Sequence, residues 1–598
     1  MDNDDHIMND DDSDVDDYSD FSKVVHLSEE VMTLLRQNDP SLTALSMNTY
    51  AYNTGTVAFN ACTIDWEQDG KYISDNTHLK ALYLDSYSRR PNADRSNIKA
   101  IYRAISNNRT IKYLFVDPNS VDHNEVIEIL LPFFENNKCL RRFEINNAIL
   151  NNSGAKLLIS ALSKCSLRQF ELICSGSTMD DQVARDIVAS LNRHHPNLRE
   201  LTLCLENNDI SWCIELGLML KSPTSKLEVL NISGSKIGDK GAVIIGAALS
   251  RNKKIKKLSL NELDEYSSVS SLGLVTLVSS VGGCSSLEEI EVSDSNYIGD
   301  EVAVVLANTV VAKTPLKLLD LSSTYVSDIG LLSLAYALDG SNTTLKSLDL
   351  SSNRSITSSG WRTFFNQTRN NTSALEDLNL HNNNIDDEGV AAIVDTFGSS
   401  LKSLRLSENR LVTLIGLRTL VTMVQQQLSC LEKLSVPRID DRVMVVFANA
   451  LVNDNTLRTF IIDNIGITER GWVALADVLC NKSTIESICT SNHTLERLKE
   501  YEQIQSESDN INAYLELNKN EDKAEVVRQK IIRYHFLNGE SNVDKFVNME
   551  LNELPHVISW TGRNDIGLSL LFKLCRSMPD LFDSDSKAKS GAKRKALH

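Results

Sequence analysis

Residues 345–365 read LKSLDLSSNRSITSSGWRTFF, and residues 375–397 read LEDLNLHNNNIDDEGVAAIVDTF. Both open on apolar-x-x-apolar-x-apolar, turn through Asn, and continue into apolar residues at helical spacing. The opening six residues predict a short strand whose first, fourth and sixth side chains enter a core, while the second, third and fifth face away. The bend that follows carries Asn353, Asn383 or Asn409. A side-chain amide there can bond the turn's backbone, which no strand ladder reaches. A capping Asp or Thr comes next, as at Asp386 before GVAAIVDTF, Asp239 before GAVIIGAAL and Thr468 before GWVALADVL. Capping oxygens and early acids suit the positive end of a helix. Gly241, Gly330, Gly389 and Gly471 are expected to clear a side chain where strand and helix approach.

The same unit recurs outward in both directions. Clear copies begin at Leu79, Leu198, Leu227, Leu316, Leu345, Leu375 and Leu401. Looser ones begin at Leu42, Ile111, Leu140, Leu167, Ile255, Leu287, Leu431, Leu457 and Ile485. Sixteen starts, mostly 26 to 32 residues apart, are the signature of a repeat array. From about Ser41 to Leu498 the pattern resembles the ribonuclease-inhibitor-like leucine-rich repeats, whose unit is a strand plus a full helix. The resemblance implies an α/β fold: a leucine-rich-repeat solenoid, or horseshoe, with a parallel sheet on the concave face and helices on the convex face. Strands pack about 4.8 Å apart and helices about 8–10 Å apart, so the array is expected to curve by roughly 20–25° per repeat. Ala148, Ile439 and Ile465 stand where other repeats carry the bend amide, so those bends need another partner.

The flanks differ in composition. Residues 1–22 form an acidic tail expected to be disordered, with ten Asp among the first twenty residues. Residues 23–498 hold the repeats. Residues 499–583 read as helices, through AEVVRQKIIRYHF, VDKFVNMEL and GLSLLFKLCRSMPDLF, and are expected to cap the last repeat. The stretches LNELPHVISWTGR and LSLLFKLCRSMPDLF are similar to the C-terminal end of large leucine-rich-repeat families of single-celled algae. Residues 584–598 are a basic tail in which Lys593, Arg594 and Lys595 make a candidate nuclear-import signal.

The 598-residue chain is too long for one compact core, and its 42% hydrophobic content with 6% aromatics is mostly aliphatic, as stacked Leu, Ile and Val require. It offers no apolar run long enough to span a membrane and no basic-apolar leader, so a cytoplasmic location is expected; the oligomeric state is left open, with a monomer favoured. Eleven cysteines lie without CxxC or metal-ligand spacing and read as reduced thiols. A net charge of −19 argues against nucleic acid as the partner. Phosphate-loop, dinucleotide, nucleophile-elbow and zinc-hydrolase motifs are absent; beside the lone Gly70-Lys71 pair, Asp65 stands where a phosphate loop needs Gly. Neither an enzyme nor a cofactor or metal site is expected. His194 and His195 read as a solvated helix end, and His381 beside Asp377 and Asn379 as part of a hydrated polar face.

The inner face is the candidate binding surface. It offers Tyr83, Tyr113 and Phe115 as three exposed aromatics, then Arg141, Arg142, Arg168 and Arg199. An acidic ladder of Glu291, Asp320 and Asp349 follows, then Asn379, His381 and Arg405. Cross-strand packing is the rival reading of the aromatics, and plain solvation that of the acids. The whole points to a non-catalytic scaffold or sensor that binds a protein through its concave face. The alternative is a regulator of a small GTPase, resembling the GTPase-activating protein of Ran, which joins a similar repeat to an acidic tail.

Overall fold

The computed structural model describes residues 24–534, except 49–64, 86–94, 118–120, 175, 206–209, 264–267, 296–297, 341–343, 370–373, 399, 426–429, 453, 463–466, 501–507 and 532. The acidic tail, the basic tail, the bend at Ile465 and most of the C-terminal helical segment lie outside these residues. The chain forms two compact units, Met1–Leu345 and Lys346–His598.

In the first unit the strands are β1 (Val25–His26), β2 (Ala44–Asn48), β3 (Ala81–Asp85), β4 (Tyr113–Asp117), β5 (Arg142–Ala148), β6 (Gln169–Cys174), β7 (Glu200–Leu205), β8 (Val229–Asn231), β9 (Lys257–Ser259), β10 (Glu289–Glu291) and β11 (Leu318–Asp320). Each pairs in parallel with the next in chain order. The second unit continues the plan with β12 (Ser347–Asp349), β13 (Asp377–Asn379), β14 (Ser403–Arg405), β15 (Lys433–Ser435), β16 (Thr459–Ile462) and β17 (Arg497–Glu500), again parallel neighbours in order. Helices alternate with strands, which makes the fold a leucine-rich-repeat solenoid. Fifteen of the sixteen expected starts lead into strands. The exception is Ile485, which begins the short helix Ile485–Cys489; the last strand instead follows Leu495, in LERLKE. The two-residue β1 has no repeat signature ahead of it.

The core follows the periodicity. Leu345, Leu348 and Leu350 are 3%, 2% and 0% exposed, and the equivalent residues of the other repeats are buried alike. The bend amides act as expected. Asn383 Nδ2 donates to the Leu350 and Leu380 carbonyls, and Asn409 Nδ2 to those of Leu380 and Leu406, so each stitches its repeat to the one before. At Ala148 the missing amide is replaced from the following repeat: Ser177 Oγ donates to the Ala148 carbonyl and accepts the Leu150 N–H.

Asp386 and Thr468 cap their helices. Asp239 does not: it lies inside helix Gly238–Leu249, and its carboxylate accepts the backbone N–H and hydroxyl of Ser270 in the next repeat, at 2.7 and 2.9 Å. The device recurs between Asp300 and Ser327, Asp387 and Thr413, and Asp441 and Thr468. The Thr468 hydroxyl and amide hold the Asp441 carboxyl below its ordinary range. This geometry also corrects the reading of the glycines. A Cβ on Gly330 would fall 2.7 Å from Asp300 Oδ1 and 2.9 Å from the Ala303 side chain, and one on Gly241 2.9 Å from Cys213 Sγ, so these two keep clear the approach of the preceding helix rather than of a strand; one on Gly471 would meet Ile467 of its own bend at 2.7 Å as well as Asp441 Oδ1 of the preceding helix at 2.8 Å. At Gly389 the nearest atom, 2.9 Å away, belongs to Ile385 in the bend that leads into its own helix.

Past β17, helices Ser508–Asn518 and Lys523–Ile531 lie against helices Glu469–Leu479 and Ile485–Cys489. Lys530 is fully buried there, its Nζ donating to the carbonyls of Leu479 and Asn492 at 2.7 and 3.0 Å and lying 3.0 Å from His493 Nδ1. Burial lowers the Lys530 pKa to about 7.

Candidate binding surface

On β3 and β4 the third and fifth positions of the repeat carry Ala81, Tyr83, Tyr113 and Phe115. They face the expected side, yet the expectation of three exposed aromatics is wrong. Tyr113 is 4% exposed, and Tyr83 and Phe115 are half-buried. With strands about 4.8 Å apart, side chains on one sheet face pack sideways on each other. Tyr83 meets Tyr113 edge-on at 4.9 Å and Phe115 at 6.1 Å, and the group rests on Ala44, Ala81 and Val24. The Tyr113 hydroxyl donates to Glu144 Oε2 at 2.8 Å, and the Arg142 guanidinium lies 4.7 Å above the Tyr113 ring while pairing with Glu144. Burial first, then the Glu144 charge, raises the Tyr113 phenol well above its ordinary pKa, so it stays a donor.

The four arginines do not form one group. Arg142 belongs to the aromatic cluster, whereas Arg141, Arg168 and Arg199 stand at second positions, toward the edge where strands begin. Arg141 donates to the carbonyls of Lys138 and Leu140, Arg199 reaches Glu228 at 3.4 Å, and the Arg168 guanidinium has no partner among the described residues. Glu144 and Glu171 were missed, although the fifth-position rule points to both. They are register neighbours on β5 and β6. Burial, then the Glu144 charge, raises the Glu171 pKa. Its folded pKa lies above its unfolded one, so the stability difference appears as pH rises past the ordinary carboxyl value and Glu171 ionises against its surroundings. Glu171→Gln is therefore expected to melt at a higher temperature than the parent at pH 7, with the gain vanishing near pH 4. Thermal melts at the two pH values test this, and an equal gain at both would contradict it.

The acidic ladder is largely occupied. Glu291 accepts from Lys257 Nζ and Ser259 Oγ, each at 2.6 Å, and Asp320 accepts the Ser322 N–H at 2.8 Å. In the second unit Asp349 accepts the N–H and hydroxyl of Ser351, and Asn379 Nδ2 donates to it at 2.6 Å. His381 Nδ1 lies 2.8 Å from Ser407 Oγ, to which Ser435 donates in turn. Asp377 and Arg405 are exposed, and the Arg405 guanidinium has no partner among the described residues. Among those residues no group of three or more His, Cys, Asp or Glu is placed to hold a metal ion, and no helix is long and apolar enough to cross a membrane.

His195 is not a solvated helix end. It is 3% exposed, and its Nδ1 accepts the Leu167 N–H of the preceding repeat at 2.9 Å. It stands three residues before Leu198, as Asn108 and Asn137 stand three before Ile111 and Leu140. Those asparagines take the N–H groups of their own turn through Oδ1 and donate through Nδ2 to carbonyls one repeat earlier. His194 is exposed.

The Leucine Rich repeat family model matches residues 225–245, 341–364 and 373–394, in agreement with the fold. The chain carries leucine-rich repeats. No curated protein sequence matches it. Among solved structures it is similar to a chain of the Rad7 and Elc1 complex in yeast, at 16% identity and a TM-score of 0.41 over 63% of this chain and 86% of that one. It is also similar to a chain of the TLR13–ssRNA13 complex, at 15% identity and a TM-score of 0.31 over 72% and 58%.

Proposed function

We propose that the chain is a non-catalytic scaffold or sensor that binds a protein through the sheet face of its repeats. The carrying observation is the pair Tyr83 and Phe115, partly buried on neighbouring strands with part of each ring still open on the sheet face, and held in place by the buried Tyr113 beside them. Aromatic side chains fixed in this way contribute large contact area with little rotamer entropy left to lose. The helices 508–518 and 523–531 cap the last repeat in this reading, which leaves the sheet face for recognition. The test is quantitative affinity capture from the source cell with the full chain and with a Tyr83→Ala, Phe115→Ala variant of unchanged fold. A partner recovered by the parent should be lost from the variant, with affinity weakened by about 2 kcal/mol or more. Undiminished recovery of every partner would place recognition elsewhere.

A further inference from the structure

Because the strands of the first unit are parallel, the turns leading from helix into strand all lie on one edge. Six successive turns, at 106–112, 136–141, 163–168, 193–199, 221–228 and 250–256, carry fourteen Lys or Arg and a single acid, Glu228. In a chain of net charge −19 this is a local reversal of sign. Backbone bonds from Lys112 N to Lys80 O, Arg141 N to Lys112 O, Arg168 N to Arg141 O and Arg199 N to Arg168 O align five cations in one row. Lys138 and Arg141 donate to backbone carbonyls, while Arg109, Arg168, Arg193 and Lys253 have no carboxylate partner among the described residues. The row runs into an open cleft of about 300 Å³ lined by Arg199, Lys226, Lys253, Lys254 and Lys256, with Glu228 as its acid. The same row in the second unit alternates in sign: Lys346 and Lys402 share Glu376, and Arg458 pairs with Glu496. The repeat itself does not impose the cationic edge.

These six turns contain no Phe, Tyr or Trp, so they offer bases no stacking platform. The polyanion that fits is an acidic polypeptide, and the chain carries one. Residues 1–20 contain ten Asp and no Lys or Arg. Val24 leads directly into β1, which runs parallel to β2 with Val25 opposite Leu45. The acidic segment therefore joins the fold at the edge where the strands begin, the edge that carries the cations. Three strand spacings, about 14 Å, separate β1 from β4, and twenty residues reach up to about 66 Å.

We propose that residues 1–22 dock in cis on this cationic edge and mask it, so that a second acidic segment must displace them to bind. This surface is separate from the sheet face, and neither reading depends on the other. The probe is a fluorescein-labelled peptide of residues 1–22, followed by polarisation at low salt. The proteins are the full chain and a full chain whose ten tail Asp are changed to Asn. The Asn-tailed chain should bind the peptide, and the parent should bind it at least about tenfold more weakly, because the tethered copy competes at an effective concentration on the order of millimolar. Arg109→Glu, Arg193→Glu and Lys253→Glu together, all at exposed positions, should abolish binding to the Asn-tailed chain without lowering its melting temperature. Equal peptide binding by parent and Asn-tailed chain, failure of the Asn-tailed chain to bind it, or indifference to the charge reversals overturns the proposal. So does tighter binding of a uridine 20-mer than of the peptide, which would make the edge a nucleic-acid surface.

Discussion

Tyr113→Ala is expected to destabilise the fold by about 3–5 kcal/mol, in the same range as the neighbouring core change Leu114→Ala at about 2–5 kcal/mol. The two side chains leave the strand on opposite faces, and a sheet with one wet face would make them unequal. Here the wet face is closed at this point. Tyr113 is 4% exposed, packs against Tyr83 and Ala81, and holds a carboxylate that is itself only 6% exposed. Truncation leaves a cavity and removes one donor from Glu144, while Arg142 loses the ring beneath it. Tyr113→Phe separates the contributions: it keeps the packing and deletes only the hydroxyl, so it should cost about 1.5–3 kcal/mol, the scale of a hydrogen bond to a charged group. Denaturant unfolding of the three variants measures this. If Tyr113→Ala costs less than about 1 kcal/mol, the side chain is solvated and the closed cluster is wrong.

Why the face was misjudged at this point can be traced to particular residues. The leucine spacing identifies strands because it reports which side chains leave water, and fifteen of the expected starts hold for that reason. It does not report how much water remains on the opposite face. That depends on neighbours one and two repeats away: Ala81 and Ala44 are small enough for Tyr113 to lie over them, and Glu144 is placed to receive its hydroxyl. Asp239 shows a related limit. It occupies a plausible cap position in its own helix, but its partner, Ser270, is 31 residues away in the next one. Ile485 fails for another reason: IESI matches the apolar spacing, yet Thr484 ahead of it caps a helix, its hydroxyl accepting the Ser487 N–H. Arg405 and Asp377, by contrast, are exposed as the pattern implies, since their neighbours at the third and fifth positions are short. Within-repeat order is thus legible from one repeat, whereas anything set between repeats needs the register.

The contact least legible of all, His195, carries a large expected response to acid. Its ring is enclosed at 3% exposure, and Nδ1 must remain unprotonated to accept the Leu167 N–H. A proton there would set two donors against each other, and the Leu162 backbone offsets only part of that cost. Burial first, then the neighbouring His194 charge, lowers the pKa from 6.5 to about 4. The unfolded chain takes up this proton near the ordinary value while the folded chain refuses it, so between those limits the unfolded state binds more protons. Stability is therefore full above about pH 6.5 and falls as pH drops toward 4, by about 3 kcal/mol for this residue alone. His195→Asn introduces the residue that occupies the equivalent place at Asn108 and Asn137 and cannot be protonated there. The informative quantity is the difference between parent and variant, because carboxylates shared by both titrate in the same range. Denaturant unfolding at pH 7.5, 5.5 and 4.5 should show the variant's relative stability improving steadily toward acid. Parallel pH profiles for the two proteins would mean that His195 is protonated in the folded state without penalty, and that the Leu167 bond does not control its titration.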